Sequence, residues 1–187
     1  MYEELFDDFD NLKPVLRKNK GLNMPGLGSR LSGNKEFNIS FHQLIEKLGR
    51  FFVIDKASLA FYDDNAKRLR VTHMYDNRSL KTGLTLNFPT KGSMLYQVLA
   101  QGFPVADNYP DHISAGIIEK KILLNNATRS VLMVPLLLDS TKLGLLSLAS
   151  SNENVFGLYL EGVGVGMVEQ FVGLLGNILK PVPETVK

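Results

Sequence analysis

The spacing of apolar and polar positions changes several times along the 187-residue chain. At the start, large apolar residues recur at helical spacing, and acidic residues lie early, where a helix dipole favours anions. This pattern predicts an amphipathic helix within residues 1–20, which Pro14 either kinks or ends. Residues 21–33 contain four glycines and one proline, a composition that predicts neither helix nor strand, so we assign residues 21–37 as a linker.

Two further helices with broad apolar faces are predicted on either side of the strand-rich part of the chain. The earlier one has Asn38 or Ser40 as its N-cap and should end near residues 53–55. The later one spans residues 164–179 and is stopped by the prolines that follow it. Because both faces are too apolar to remain in water, both helices must pack against another surface.

Six segments have the alternation or the apolar runs that are typical of strands. Two pairs of them are joined by short turn-rich segments and therefore predict antiparallel hairpins. Leu69, Val71, His73 and Tyr75 alternate with Arg70, Thr72 and Met74, which predicts that the first four share one buried face. The six segments are residues 56–62, 68–75, 84–88, 103–106, 130–138 and 142–151.

The order of these elements predicts an α+β fold, with a central antiparallel sheet of about six strands. The terminal helices should cover one face. An insertion at residues 89–129, with crossing helices at 93–101 and 113–124, should cover the other and enclose a cavity. One domain at residues 38–180 and a tail at 181–187 follow from this reading.

Composition excludes several kinds of function. There is no cysteine, so disulfides, thiolate metal sites and cysteine nucleophiles are excluded. The net charge is +2 and the basic residues are scattered singly or in pairs, which predicts no nucleic-acid partner. The acidic N-terminus lacks a secretory pattern, and no apolar run is long enough for a membrane span, so we expect a soluble cytoplasmic protein without a membrane partner.

Two stretches, residues 92–111 and 129–156, contain three short motifs. A glycine precedes a crossing helix, a Gly-x-Pro precedes an Asp-bearing loop, and Arg-Ser precedes an apolar strand that ends in Val-Pro-Leu. The residues are Gly92, Gly102, Pro104, Asp107, Arg129, Ser130, Val134, Pro135 and Leu136. These motifs, in this order, resemble those of the GAF domain family. The resemblance covers about residues 38–180 and implies a GAF/PAS-like sheet; residues 146–179 are also similar to an uncharacterised bacterial GAF-like family.

The resemblance implies noncovalent binding of a small molecule, or dimerisation without a ligand. Covalent bilin attachment and the thiol chemistry of free methionine sulfoxide reductases both need cysteine, which this chain lacks. The ligand or cofactor stays unknown. The three histidines have no metal-ligand spacing, so no metal site is predicted, and no catalytic constellation is recognisable.

Candidate ligand-binding residues are those expected to line the cavity beneath the insertion, where apolar walls and a few polar groups would meet. Arg129 could pair with an anionic ligand, or instead form a structural ion pair with Asp107 or Asp111. His73 is expected to be a hydrogen-bonded core residue. The candidates are Tyr75, Phe88, Ser93, Tyr96, Asp107, Tyr109, Arg129 and Met133.

These observations predict a non-catalytic sensory or regulatory domain that binds a small molecule and signals through its terminal helices. The signal would pass to a separate effector protein or to a second protomer, and we expect a homodimer formed through those helices. If the chain is complete at residue 187, its output must act in trans. The alternatives are a ligand-free structural or dimerisation module, whose cavity is filled by Phe88, Tyr96 and Met133, and an enzyme with an unrecognised site.

Overall fold

The computed structural model describes residues 27–76, 78–108 and 116–179 of the chain. Helices flank a run of strands at both ends of this region. The elements are α1 (Leu27–Ser32), α2 (Lys35–Leu48), β1 (Lys56–Asp63), β2 (Arg68–Asp76), β3 (Ser79–Lys81), β4 (Leu86–Pro89), α3 (Met94–Gln101), β5 (Val105–Asp107), α4 (Ile117–Leu123), β6 (Ser130–Leu138), β7 (Thr141–Ser150), α5 (Gly157–Leu160) and α6 (Val165–Leu179).

The strands form one antiparallel sheet in the order β3-β2-β1-β7-β6-β5, and β4 also pairs with β2. Both predicted hairpins are present. Asp63 pairs with Arg68 across the first turn and Leu138 with Thr141 across the second. The predicted α+β class is therefore confirmed, with seven strands where about six were expected.

A separate hydrophobic core covers each face of the sheet. Helices α1, α2, α5 and α6 contribute to the first core, which holds the largest buried aromatic side chains of the described residues. Helices α3 and α4 cover the opposite face and build the second core with residues of β1, β2, β6 and β7. This arrangement agrees with the prediction of terminal helices on one face and an insertion on the other.

The start of the described region differs from the sequence prediction. Helix α1 lies within the segment that was expected to form no helix, and its Leu27 and Leu31 belong to the first core. Gly28 is needed there for close packing, because a Cβ at this position would approach the Cγ2 atom of Thr72 to 2.8 Å. The glycine-rich composition predicted an interruption of secondary structure, whereas Gly28 allows α1 to pack closely against β2.

Helix α2 is displaced from its predicted position at both ends. Asn34 is the N-cap, and its side chain accepts a 2.9 Å hydrogen bond from the Phe37 amide, so neither Asn38 nor Ser40 has this role. The helix ends at Leu48 rather than near residues 53–55. The predicted helix in residues 1–20 and the tail at 181–187 lie outside the described residues, and the division of the chain at residue 38 stays a prediction.

Smaller differences occur at the sheet edges and in the insertion. Strand β3 and helix α5 were not predicted, because each has only three or four residues, too few for a periodic pattern. Helix α4 occupies residues 117–123 of the helix expected at 113–124, of which residues 113–115 lie outside the described region.

A bulge in the β1–β2 pair reverses the predicted alternation of β2. Leu59 faces His73 but Ala60 faces Val71, so Thr72 is an additional residue on β2. As a consequence Leu69 and Val71 belong to the second core, whereas His73 contacts Phe37 and Phe41 of the first. The prediction that residues 69, 71, 73 and 75 share one face is therefore wrong.

His73 is fully buried in a hydrogen-bonded chain at this bulge, as a core residue was expected to be. The Nε2–H group donates to the Asn38 Oδ1 atom over 2.8 Å, because that amide oxygen can only accept. The Nδ1 atom then accepts from the Thr72 hydroxyl over 2.7 Å. Burial lowers the pKa of His73 to about 4, so the ring is neutral near pH 7.

Candidate functional site

A cleft of about 650 Å³ opens at the end of the sheet where β1 and β6 begin. One wall is formed by α4 and by the segment that follows this helix, and the other wall by the first residue of β1. Among the described residues that line the cleft, four side chains carry a positive charge and none carries a negative charge. The lining residues are Lys56, Lys120, Lys121, Leu124, Asn125, Asn126, Thr128 and Arg129.

Lys56 forms the sheet side of the cleft and is only 7% exposed. It is the first residue of β1, where it pairs with Asp76 of β2 and Ala149 of β7. Burial lowers the pKa of its ammonium group, the neighbouring Asp76 carboxylate partly raises it again, and Lys81 lowers it further. Because the ammonium group is partly desolvated, an anion in the cleft would compensate part of the cost of its burial.

The turn that forms the rim of the cleft is held by its own hydrogen bonds. The Asn125 Oδ1 atom accepts from the Ala127 amide over 2.9 Å and from the Thr128 hydroxyl over 3.1 Å. The Thr128 hydroxyl oxygen in turn accepts from the Asn125 amide over 3.0 Å. The rim is therefore ordered before any ligand arrives, which lowers the entropy cost of binding.

Arg129 lies at the outer edge of the cleft, immediately before β6. Its amide donates to the Ser150 carbonyl over 2.7 Å, so the backbone is anchored to β7, while the guanidinium group remains exposed. An ion pair of 3.8 Å joins the guanidinium to Glu153. Arg129 therefore has an ion-pair partner, but this partner is Glu153 and neither of the two carboxylates that were considered, Asp107 and Asp111. Asp111, one of the two partners considered, lies outside the described residues.

A buried carboxylate connects the cleft to the neighbouring crossing helix. Glu119 is 3% exposed and precedes the two lysines of α4. Its Oε1 atom accepts from the Ser93 hydroxyl over 2.8 Å and the Leu95 amide over 3.1 Å, and its Oε2 atom accepts from the Met94 amide over 3.2 Å. Since these amides begin α3, the negative charge is stabilised by the helix N-terminus, and α3 and α4 are coupled.

The structure separates the residues that sequence reasoning grouped together. Ser93, Phe88, Met133 and Tyr96 lie on the insertion side of the sheet, where Phe88 and Met133 are buried in the second core. Tyr96 is half-buried, and its ring centroid lies 5.6 Å from that of Tyr62. The Ser93 oxygen is occupied, since it also accepts from the Tyr96 amide as the N-cap of α3.

The remaining candidates lie elsewhere. Tyr75 packs against the first core, on the opposite face of the sheet, because the β2 bulge turns it there. Asp107 ends β5, opposite Val131, and is half-buried. Tyr109 lies outside the described residues. Of the seven candidates within the described residues, Arg129 alone belongs to the lining of the basic cleft.

Sequence reasoning missed most of the basic cleft. The adjacent Lys120 and Lys121, with Arg129 eight residues later, are a local signal, although they looked like scattered charges. Lys56 had no signal at all, because only the pairing of β1 with its neighbours brings it beside α4. Within residues 27–76, 78–108 and 116–179, no group of three or more His, Asp or Glu side chains could hold a metal ion. No helix in this part of the chain is long and apolar enough to cross a membrane.

Solved structures with the same fold include sensory domains and enzymes. The GAF domain of a two-component sensor histidine kinase from Bacillus halodurans is 16% identical, with a TM-score of 0.62 over 75% of this chain and 94% of its own. The GAF domain/HD domain protein from Geobacter sulfurreducens is 15% identical, with a TM-score of 0.59 over 79% and 96%. Type II free methionine-R-sulfoxide reductase from Thermoplasma acidophilum is 10% identical, with a TM-score of 0.59 over 81% and 99%.

These structural similarities confirm that the fold is GAF-like. No protein-family model and no curated protein matches the sequence. Because the reductases share the fold with sensory domains, the fold by itself does not separate a regulatory function from an enzymatic one.

Proposed function

We propose that this chain is a cytoplasmic regulatory domain that binds a small molecule noncovalently in the basic cleft. The observation that carries the proposal is the cleft itself, a concave site of ligand size with convergent charged groups on a GAF-like fold. The chain has no cysteine, which argues against the thiol chemistry of the sulfoxide reductases and favours binding over catalysis.

Chain connections and one hydrogen bond link the cleft to the helices α2 and α6. Lys56 begins the strand that follows α2, and the Asp55 carboxylate accepts from the Ser151 amide at the end of β7, which leads towards α6. Helices α2 and α6 also contact each other on the sheet. A ligand that shifts the start of β1 or the end of β7 therefore acts on both helices, and we propose that they are the output.

The partner of this output is proposed to be a second protomer or a separate effector protein. The apolar face of α6 packs into the first core, so it is not the surface offered. Four apolar side chains near α2 and α6 are each about half exposed: Phe51 (52%), Val53 (49%), Leu158 (50%) and Leu160 (55%). Their segments meet where Phe52 packs against Tyr159, with a centroid separation of 6.5 Å, and such exposed apolar side chains favour association.

A specific observation also favours the ligand-free structural module. Phe88 and Met133 fill the second core together with Leu95 and Leu99, so side chains occupy space that was expected to be a cavity beneath the insertion. In that case the domain would act only by binding a partner through its surface, and the cleft would hold solvent.

Native mass spectrometry of protein purified without added ligand distinguishes these functions. We expect a complex that is heavier than the protein by one small molecule, since the cleft is preformed, and we expect a dimer in the same spectra at high micromolar concentration. Denaturation should release the molecule, because no cysteine can tether it in the way that bilins are attached. A native mass equal to the sequence mass, together with a strict monomer, would favour the structural module and contradict the proposal.

A further inference from the structure

We infer that the basic cleft selects a small polyanion, a molecule that carries two or more phosphate or carboxylate groups and little apolar surface. This inference rests on the proposed function, because it names the chemical class of the ligand for the same cleft.

The cations lie on several walls of the cleft. They come from three separate segments: the start of β1, helix α4, and the residue before β6. Asp76 lies beside Lys56, and Glu153 pairs with Arg129 at the outer edge. Cations on different walls are best satisfied by a ligand with more than one anionic group.

Of the four cations, Lys56 is the most buried, with 7% of the residue exposed. The lowered pKa of its ammonium group has desolvation as its main cause. A lysine with a perturbed pKa that lines a cleft is a candidate for contact with a ligand.

The neutral part of the lining supports a polar ligand. Leu124 is the one apolar side chain among the eight lining residues, and the others that carry no charge are two asparagines and a threonine. Amide and hydroxyl groups hydrogen-bond to oxyanions and sugar hydroxyls, whereas a ligand with a large apolar surface would find few partners here. The volume of about 650 Å³ is sufficient for a metabolite with several oxyanion groups.

The concave shape favours a small ligand over a nucleic-acid strand. A strand is normally bound along an extended basic surface with aromatic side chains on which the bases stack. Among the described residues that line this cleft there is no aromatic side chain, and the cations surround one concave space. A phosphorylated compound and a polycarboxylate present the same chemistry to such a site.

The experiment is calorimetric titration of the full-length protein with sodium pyrophosphate and, separately, with citrate. Acetate at the same concentration serves as the singly charged comparison. We expect at least one polyanion to bind at one site with a Kd of about 0.1 mM or below, and acetate to give no measurable heat. Binding of pyrophosphate alone indicates a phosphate ligand and binding of citrate alone a polycarboxylate; both outcomes support the inference.

Variants test whether the cleft is responsible. The double variant Lys120→Gln/Lys121→Gln and the single variant Lys56→Met should each weaken polyanion binding about tenfold or more, because a charge-assisted contact is lost. The matched control is Lys35→Gln/Lys47→Gln, which removes the same charge as the first variant from α2, on the other face of the sheet. The control should change the Kd by less than about twofold. Thermal unfolding of each variant verifies that it is folded.

Three results would overturn the inference: no binding of either polyanion, an equal loss of binding in the control, or tighter binding of a single-stranded oligonucleotide that displaces pyrophosphate. Native mass spectrometry separates this inference from the proposed function. A carried neutral molecule would contradict a polyanion ligand and leave a ligand-binding regulatory domain intact. Polyanion binding without any change in α2 and α6 would support the ligand class and contradict the regulatory function.

Discussion

Replacing Gly144 with alanine is expected to destabilise the protein by more than about 3 kcal/mol, because the new methyl group has no space. Gly144 lies in β7 between Phe61 of β1 and Leu136 of β6, at the centre of the sheet. A Cβ atom there would overlap the Ala60 carbonyl oxygen and approach the Phe61 Cα atom to 3.0 Å. Since both neighbours are backbone atoms, relief requires the strands to separate, and urea denaturation should show a greatly reduced midpoint.

Gly173→Ala is the matched control for this substitution. Gly173 lies in α6 and is exposed, and a Cβ atom would meet nothing within 4 Å. The same change should therefore stabilise the protein by roughly 0.5 to 1 kcal/mol, because alanine favours a helix more than glycine does. If the two variants unfolded at the same urea concentration as the unmodified protein, the close contact between β7 and β1 would be contradicted.

Acidification from pH 6.5 to about 4 is expected to remove about 3 kcal/mol of stability through His73 alone. Burial lowers the folded-state pKa to about 4 from 6.5. In this interval the unfolded chain therefore binds more protons than the folded one, so the free energy of unfolding falls as the pH falls. Urea denaturation at several pH values measures the slope, and below about pH 4 this contribution should level off.

The His73→Gln variant isolates that slope from those of the carboxylates, since glutamine still donates to Asn38 and does not titrate. The variant should be less stable than the unmodified protein near neutral pH. On acidification its free energy of unfolding should fall by about 3 kcal/mol less than that of the unmodified protein. Equal pH slopes in the His73→Gln variant and the unmodified protein would contradict the neutral buried imidazole.

The fold was largely predictable because its strands and longer helices carry strong periodic patterns. Residues 130–138 are apolar on both faces, and β6 does lie between two neighbours and beneath helices on both sides. The helix expected at residues 93–101 is present as α3, which begins after its N-cap Ser93 and ends at its C-cap Gly102. Helix α1 could not be predicted, since composition does not reveal that Gly28 has Thr72 against it.

The site was less predictable than the fold, and one backbone irregularity explains part of the difference. The additional residue in β2 moves Tyr75 to the face of the sheet that α2 and α6 cover. No residue type near Thr72 predicts a bulge. Lys56 is a second example, because a lysine at a strand start is ordinarily exposed and only the tertiary pairing buries it. Local sequence signals thus named Arg129 as a candidate for a different cavity, and they did not indicate its neighbours in the basic cleft.

Amide hydrogen exchange with and without saturating pyrophosphate tests most directly whether occupation of the basic cleft changes the terminal helices. We expect slower exchange at residues 117–129, which line the cleft, and altered exchange in α2 and α6, with both effects lost in the Lys120→Gln/Lys121→Gln variant. Protection confined to residues 117–129, with unchanged exchange in both helices, would contradict the claim.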